Sequence, residues 1–351
     1  MGLVRQSLAP YRLAAQRLAG RALATPEAVV AHLGAVQAQE HLMAPWAVGR
    51  RCGATLKDVT ASFNRRDFVR THVLRTTWHY VLMDDLPDLL AVTGHRVRRL
   101  VEQHCRGIGL DAAALRDGAD AVAQIVRSHG PVTRPVLGEH LAAGGLSHTG
   151  RALTHVVMYA ELDGTIASGP IQGKQHTYQA VELAPTTRDE DELLAWLAGT
   201  YGRGHGPFTP QDLAWWSSLT LTQARRAVEL ADLEEIQVDG QVLHAPPGLE
   251  PLEVPHVLLL ANFDELISHA RDAEIRAEVG PDYDDIMMST GLLFVDGRLS
   301  GRWRRRTAAE HVDIEVHPSG RLEAAARSAL EAEADAFGTF LGLQPRLDIT
   351  V

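Results

Sequence analysis

The chain has 351 residues, 45% of them hydrophobic, and a formal net charge of −10. That length exceeds one ordinary core and implies two or three domains, while no apolar run approaches the roughly 18 residues of a membrane span. The N-terminal "MGLVRQSLAP" lacks the apolar stretch and cleavage site of a secretory signal. Cys52 and Cys105, the only cysteines, make neither a disulfide framework nor a CxxC site, which points to a reducing, cytoplasmic compartment.

In chain order, "PYRLAAQRLAG" reads as a helix. Thr25 is placed to cap a second, "TPEAVVAHLGAVQ", with Pro26 at its first position. Thr55 is placed to cap a third, "TLKDVTASFNRRD", and the β-branched, aromatic "FVRTHVLRTTWHYVLM" reads as strand. A repeat follows: "SHGPVTRPVLGEHL" (128–141) resembles "GHGPFTPQDLAWW" (204–216). Each copy follows an apolar-periodic helix and has a threonine, Thr133 or Thr209, suited to cap the next. Each is followed by a third helix and then a hairpin signal, Asp163-Gly164 or Asp239-Gly240. Three helices and a two-stranded wing make the winged-helix variant of helix-turn-helix, and residues 1–110 fit the same scheme less cleanly. After residue 245, "EVPHVLLLANFDELI" reads as a buried strand and a helix start, and "GLLFVDGRLSGRWRRR" as a hairpin around Asp296-Gly297. "HVDIEVHP" reads as another strand and "RLEAAARSALEAEADAFGTFLG" as a closing helix. The expected fold is mainly α with small β wings: winged-helix units over 1–110, 111–185 and 186–246, then a C-terminal α+β segment over 247–351.

Charge is unevenly spread. Residues 1–110 hold fifteen Arg and Lys against eight Asp and Glu, a balance of +7, and the remainder holds nineteen against thirty-six, or −17. A basic first third on an acidic body can present a positive groove. Nearly all of the basic residues are arginine, a bias that GC-rich coding also produces; the lysines are Lys57 and Lys174 alone.

No Walker A sequence, no GxGxxG after a strand, no HExxH and no CxxC pair occurs, so neither a cofactor nor a metal is expected. "FDELISHARDAE" groups Asp264, Glu265, His269 and Asp272 at partly helical spacing, which fits a solvated helix face better than a ligand set. In "AVQAQE", Gln37 and Gln39 flank Ala38. On a continuing helix they point about 200° apart. If the helix ends near Gln37 and the chain becomes extended, positions i and i+2 share a face, and Pro45 shortly afterwards supports an ending. Two carboxamides meeting at one point have donors and acceptors enough to orient a water; exposed glutamines at a helix end are the bland alternative.

"VQAQE" followed by "RTHVLRTTWHYV", then "HGPFTPQDLAWWSSL", "NFDE" and "LFVDGRLSGRWRR", resembles the AlkZ-like DNA glycosylases, a winged-helix family of the azinomycin-resistance type, over most of the chain. The resemblance implies three winged helices around a DNA channel and a catalytic motif of Gln, an aliphatic residue, then Gln or Asp. Gln37, Ala38 and Gln39 match the double-glutamine form, with alanine a small choice for the middle position. That form is associated with self-resistance to bulky genotoxic natural products, the Asp form with a broader range of alkylated bases. The implied partner is double-stranded DNA carrying an alkylated purine, with no membrane, and the chain is expected to act as a monomer.

The chemistry agrees with two glutamines. A purine alkylated at N7 or N3 is a cation and leaves as a neutral base, so a poised water suffices where an uncharged lesion demands a carboxylate base. Gln37 and Gln39 would aim that water at the anomeric carbon, and their carbonyl oxygens would favour the developing oxocarbenium charge. Without a lysine beside the motif to form a Schiff base, the expected activity is monofunctional hydrolysis leaving an abasic site. DNA contacts are expected from Arg65, Arg66, Arg70 and Arg75 with His79 near them, and from Arg298, Arg302, Arg304, Arg305 and Arg306 around the second hairpin; a charged strand edge that resists aggregation is the other reading of these arginines. Trp46 and Trp78 are candidates for base stacking or for the core. A function of another class, a transcription regulator reading a promoter, would instead place its basic residues on the third helix of a unit.

Overall fold

The computed structural model describes residues 8–146, 150–270 and 289–350. After α1 (Ala9–Ala15), the Thr25 hydroxyl accepts the Ala28 N–H at 3.1 Å and opens α2 (Pro26–Leu33). α2 stops at Gly34, whose φ of +75° suits a residue without a Cβ, so the helix ends four residues before Gln37. The chain continues as β1 (Val36–Gln37), α3 (Ala44–Cys52), α4 (Leu56–Arg65), β2 (Val69–His72) and β3 (Trp78–Val81), with Thr55 and Asp58 forming a capping box on α4. The three strands form an antiparallel sheet in the order β1-β3-β2. α5 (Leu86–Leu89) passes through a π-helical turn, Leu90–Gly94, into α6 (His95–Cys105).

The same order of elements recurs twice. α7 (Ala112–His129), β4 (Val132–Thr133), α8 (Arg134–Ala143), α9 (Gly150–Leu162), β5 (Ile166–Gln172) and β6 (Gln175–Ala180) end in a sheet ordered β4-β6-β5. α10 (Glu190–His205), α11 (Pro210–Ser217), α12 (Leu221–Leu230), β7 (Glu234–Val238) and β8 (Gln241–Ala245) follow, with Phe208 bridging to His244 where the others have a first strand. Asp239 and Gly240 make the β7–β8 turn, both at positive φ, as expected. Asp163-Gly164 does not make a hairpin. α9 runs on to Leu162, and Gly164 at φ +67° donates to the Glu161 carbonyl at 3.0 Å, closing the helix; the turn between β5 and β6 falls at Gly173-Lys174. A left-handed glycine serves a helix end as well as a hairpin, and the dipeptide alone does not distinguish them.

The C-terminal segment is β9 (Val257–Leu260), α13 (Glu265–Ser268), β10 (Gly291–Val295), β11 (Arg298–Thr307), β12 (His311–Pro318), α14 (Ala324–Leu341) and β13 (Gln344–Ile349). Its sheet has the order β13-β12-β11-β10-β9, with Asp296-Gly297 turning β10 into β11 and β13 parallel to β12. The whole is a mixed architecture, mainly helical, with several small sheets.

Packing sets the β1-β3-β2 sheet between two cores. Leu33, Trp46, Phe63 and Tyr80 share one with Trp303, Ile314 and Phe337, so the C-terminal sheet and α14 close over the first repeat. Val69 and Val81 share the other with Leu197, Tyr201 and Trp216 of the third repeat. α6 contributes Val97, Val101 and Cys105 to the core of the second. Residues at the open end of β1 are therefore held from both sides while the chain between Ala38 and Met43 reaches the surface, where Leu42 is 59% exposed.

Candidate active site

β1 is short because its ladder is taken over by side chains. The Ala38 N–H donates to the Trp78 carbonyl at 2.7 Å. Beyond it, the Ala38 carbonyl accepts from Arg70 Nε at 2.9 Å, and the Trp78 N–H donates to Gln39 Oε1 at 3.4 Å. The Arg70 guanidinium lies 4.2 Å from the centroid of the Trp78 ring, which also packs on His72. The extended run ends at Gln37 and the chain bends at Gln39, which meets the sheet through its carboxamide in place of a backbone rung.

Gln37 stands opposite His79, and His79 opposite Thr71. Cross-strand partners share a face of the sheet, so these three side chains form one polar row. Gln37 Oε1, His79 Nε2 and Thr71 Oγ1 are all buried and have no hydrogen-bond partner among the described residues. His79 Nδ1 lies 2.9 Å from the Thr77 carbonyl and so carries the ring proton. Burial, with Arg75 nearby, holds this imidazole well below its usual pKa and neutral, leaving Nε2 as an acceptor. A row of unfilled acceptors beside a strand end is suited to bind the hydrogens of a small polar molecule.

The Gln37 backbone faces the other way. Its N–H donates to Glu265 Oε1 at 2.6 Å. Glu265 belongs to the "FDELISH" stretch, which is not a solvated helix face: α13 is one turn long, and Asp264, Glu265 and His269 are all buried. Asp264 takes a bidentate pair from Arg51 at 2.8 and 2.9 Å, and Arg51 also donates to the Gln16 backbone and side chain, each at 2.8 Å. Gln16 Nε2 reaches His205 Nδ1 at 2.8 Å, and His269 Nδ1 lies 3.0 Å from the Tyr201 hydroxyl. Burial pushes the Glu265 carboxyl up to about 7, against the opposing pull of Arg75. Asp272 lies outside the described residues. Two non-glycine residues at positive φ, Leu74 (+61°) and Phe263 (+58°), set the loops that bring Arg75 and Asp264 here; such backbone costs on the order of 1 kcal/mol and persists where surroundings fix it.

The arginines divide. Arg70 is in the interior, and Arg75 is half-buried, with Nη1 donating to the Ser268 carbonyl at 2.8 Å. Arg65 is exposed and paired with Asp67 at 2.6 Å, while Arg66 is half-buried with Nη2 against Met83 Sδ. Arg298, Arg302, Arg304 and Arg306 are exposed on β11. Arg305 is half-buried and interacts electrostatically with Glu40, next to the glutamines. Trp46 is core, its Nε1 donating to the Leu259 carbonyl at 2.8 Å, whereas Trp78 sits at the site. Lys57 and Lys174 are exposed on α4 and at the β5–β6 turn. Glu265, Arg51 and Asp264 carry no local sequence signal of a role here; their only hint is the "NFDE" stretch after an apolar strand.

A family model described as DNA glycosylase AlkZ-like matches residues 30–340. Among solved structures, the Streptomyces sahachiroi DNA glycosylase AlkZ superposes with a TM-score of 0.74 over 100% of both chains at 18% identity, a likeness of fold. No curated protein matches. The family match spans the polar row at Gln37, the carboxylate behind it and the arginine-bearing β11, and the chain belongs to the AlkZ-like family of DNA glycosylases.

Proposed function

We propose that this glycosylase hydrolyses the N-glycosidic bond of cationic N7- or N3-alkylated purines in duplex DNA, including bulky genotoxin adducts, with a water positioned by Gln37 and Gln39. The observation that carries this reading is the Gln37 carboxamide: its Oε1 is buried, without a hydrogen-bond partner among the described residues, at the open end of an edge strand. A water held there attacks the anomeric carbon as its bond to the base nitrogen breaks; the electron pair neutralises the cationic base, and the water's proton passes to solvent. No covalent enzyme intermediate is needed. Both lysines are exposed and outside the residues that form the site, which supports monofunctional hydrolysis.

In this reading the three repeats are winged-helix units, over 1–110, 111–185 and 186–246, and the 247–351 segment brings β11 to the DNA. Exposed Arg298, Arg302 and Arg304 hold phosphates directly, with Arg65 at the rim. Arg305 and Arg66 reach the DNA from half-buried positions, and Arg70, Arg75 and His79 act on it by shaping the site from within. The chain works as a monomer in the cytoplasm, without metal or cofactor.

The test is excision. Duplex DNA carrying N7-methylguanine or a bulky N7 adduct is incubated with the protein and heated in alkali to reveal abasic sites, beside a Gln37→Ala, Gln39→Ala double variant. Release by the wild type and loss in the variant are expected, with no borohydride-trapped enzyme–DNA adduct. Failure to release any lesion, together with tight binding to one undamaged sequence, sinks the reading in favour of a transcription regulator.

A further inference from the structure

The double-glutamine motif has no carboxylate of its own, yet one stands directly behind it. The Ala38 N–H is used in the β1–β3 ladder, so the Gln37 N–H points to the open edge of β1. That edge is closed by Glu265, 228 residues further along the chain, through a 2.6 Å bond, at the short end for an amide donor and typical of an ionised acceptor. Glu265 is completely buried, and its second oxygen has no hydrogen-bond partner among the described residues.

Several described charged or titratable groups face it. Arg51, from α3, is held bidentately by the neighbouring Asp264, so these two offset each other. His205, from α10, lies 3.8 Å from Glu265 Oε2 but is held neutral, its pKa pushed down to about 3 by burial. Tyr201 and His269, bonded to each other, are likewise uncharged. Arg75, from the β2–β3 loop, favours the ionised carboxylate while its Nη1 donates to the Ser268 carbonyl at 2.8 Å.

Resting on the glycosylase reading above, we propose that Glu265 is the positioning residue of the Gln-Ala-Gln motif: ionised, it fixes the Gln37 backbone and sets a buried negative charge behind it that favours the cationic transition state. A fixed charge in a water-poor interior acts across several ångströms with little screening. Burial pushes the ionisation of this carboxyl up to about 7. A cationic alkylpurine does not itself titrate there, so the acid limb of the excision rate belongs to the protein.

The experiment is single-turnover excision of N7-methylguanine from duplex DNA between about pH 5.5 and 8.5, with wild type, Glu265→Gln and Glu265→Ala, and with DNA affinity measured separately. Wild-type excision is expected to rise as pH rises through about 7. Glu265→Gln keeps an acceptor for the Gln37 N–H but removes the charge; it is expected to lose about tenfold at pH 8, to flatten the profile and to leave DNA affinity unchanged. Glu265→Ala, which removes the acceptor as well, falls further. Wild-type rate and profile in Glu265→Gln overturn the proposal. So does a wild-type profile with no ionisation near neutrality, which needs no variant to fold. A wild type that releases no base overturns the glycosylase reading first, and is thereby told apart from a failure of Glu265 alone.

Discussion

The first repeat and the other two use one position differently. Gly34-Ala35-Val36-Gln37 corresponds to Gly130-Pro131-Val132-Thr133 and Gly206-Pro207-Phe208-Thr209. Val36 pairs with Tyr80, Val132 with Tyr178, and Phe208 bridges to His244. In the second and third repeats the next residue is a threonine at a helix N-cap, and the helix begins at once, at Arg134 or Pro210. Thr209 forms a full capping box with Asp212. In the first repeat that position is Gln37, and residues 38–43 intervene before α3 begins at Ala44. Released from capping, the Gln37 N–H turns to Glu265, and its carboxamide oxygen has no hydrogen-bond partner among the described residues. The proposed site lies where one strand-to-helix junction of a repeated scaffold is opened.

The largest effect is expected from making the first repeat like the others. Gln37→Thr retains a residue suited to a strand but removes the carboxamide. Excision is expected to fall on the order of a thousandfold with little change in thermal unfolding. Single-turnover excision within tenfold of wild type would show that the junction, and not the glutamine, matters.

The next largest effect concerns what holds the open junction in place. Arg51 and Asp264 are buried at 0% and 1% side-chain exposure. Arg51→Met leaves Asp264 charged and unpaired, a loss of about 3 kcal/mol, visible as a lower urea midpoint. Among the described residues, the Thr209 side chain bonds only within its local box. A midpoint unchanged in Arg51→Met would mean that the first repeat is no more dependent on long-range polar contacts than the third.

A smaller effect appears in the pH dependence of stability. His205 is lowered from 6.5 to about 3, so its contribution is present above 6.5 and is lost as pH falls below that. Glu265 is raised from 4.5 to about 7, so its contribution is present below 4.5 and is lost as pH rises through 7. Between 4.5 and 6.5 the two slopes oppose each other. Glu265→Gln removes one of them, and its urea midpoint is expected to gain on wild type as pH rises through that window, by about 1.4 kcal/mol per pH unit. Parallel curves for the two proteins would contradict the assignment.

These effects mark what was legible. Thr25 with Pro26, Thr55 with Asp58 and the Asp-Gly turns at 239 and 296 act through neighbours within four residues, and all form as local rules imply. The ending of α2 follows from the same kind of signal, though Gly34 acts earlier than Pro45 suggests, and the extended run reaches Gln37 but not Gln39. The buried network does not follow from such signals. Arg51 and Asp264 are 213 residues apart, and Gln37 and Glu265 are 228. Local rules read the acidic stretch as solvated because the arginine that buries it, Arg51, is far away along the chain. α3 was hidden for a related reason: its residues are nearly all buried, so polar and apolar positions do not alternate around it.

The arginines give the smallest test, and they contrast two basic stretches of similar composition. Arg304 is exposed on β11 between Trp303 and Arg305. Arg70 is 7% exposed and bonded to the Ala38 carbonyl under the Trp78 ring. If exposure decides the role, Arg304→Ala weakens binding to any duplex and lowers the slope of log affinity against log salt by about one, while bound substrate is cleaved at the wild-type rate. Arg65, already paired with Asp67 at 2.6 Å, changes the slope less. Arg70→Ala does the reverse: the end of β1 loses its anchor, the excision rate falls, and the salt slope stays near that of wild type. Titrations on undamaged and methylated duplex at several salt concentrations, beside single-turnover rates, separate the two. A reduced slope in Arg70→Ala would mean that this buried guanidinium reaches phosphate when DNA binds, and that the interior and surface arginines act as one set.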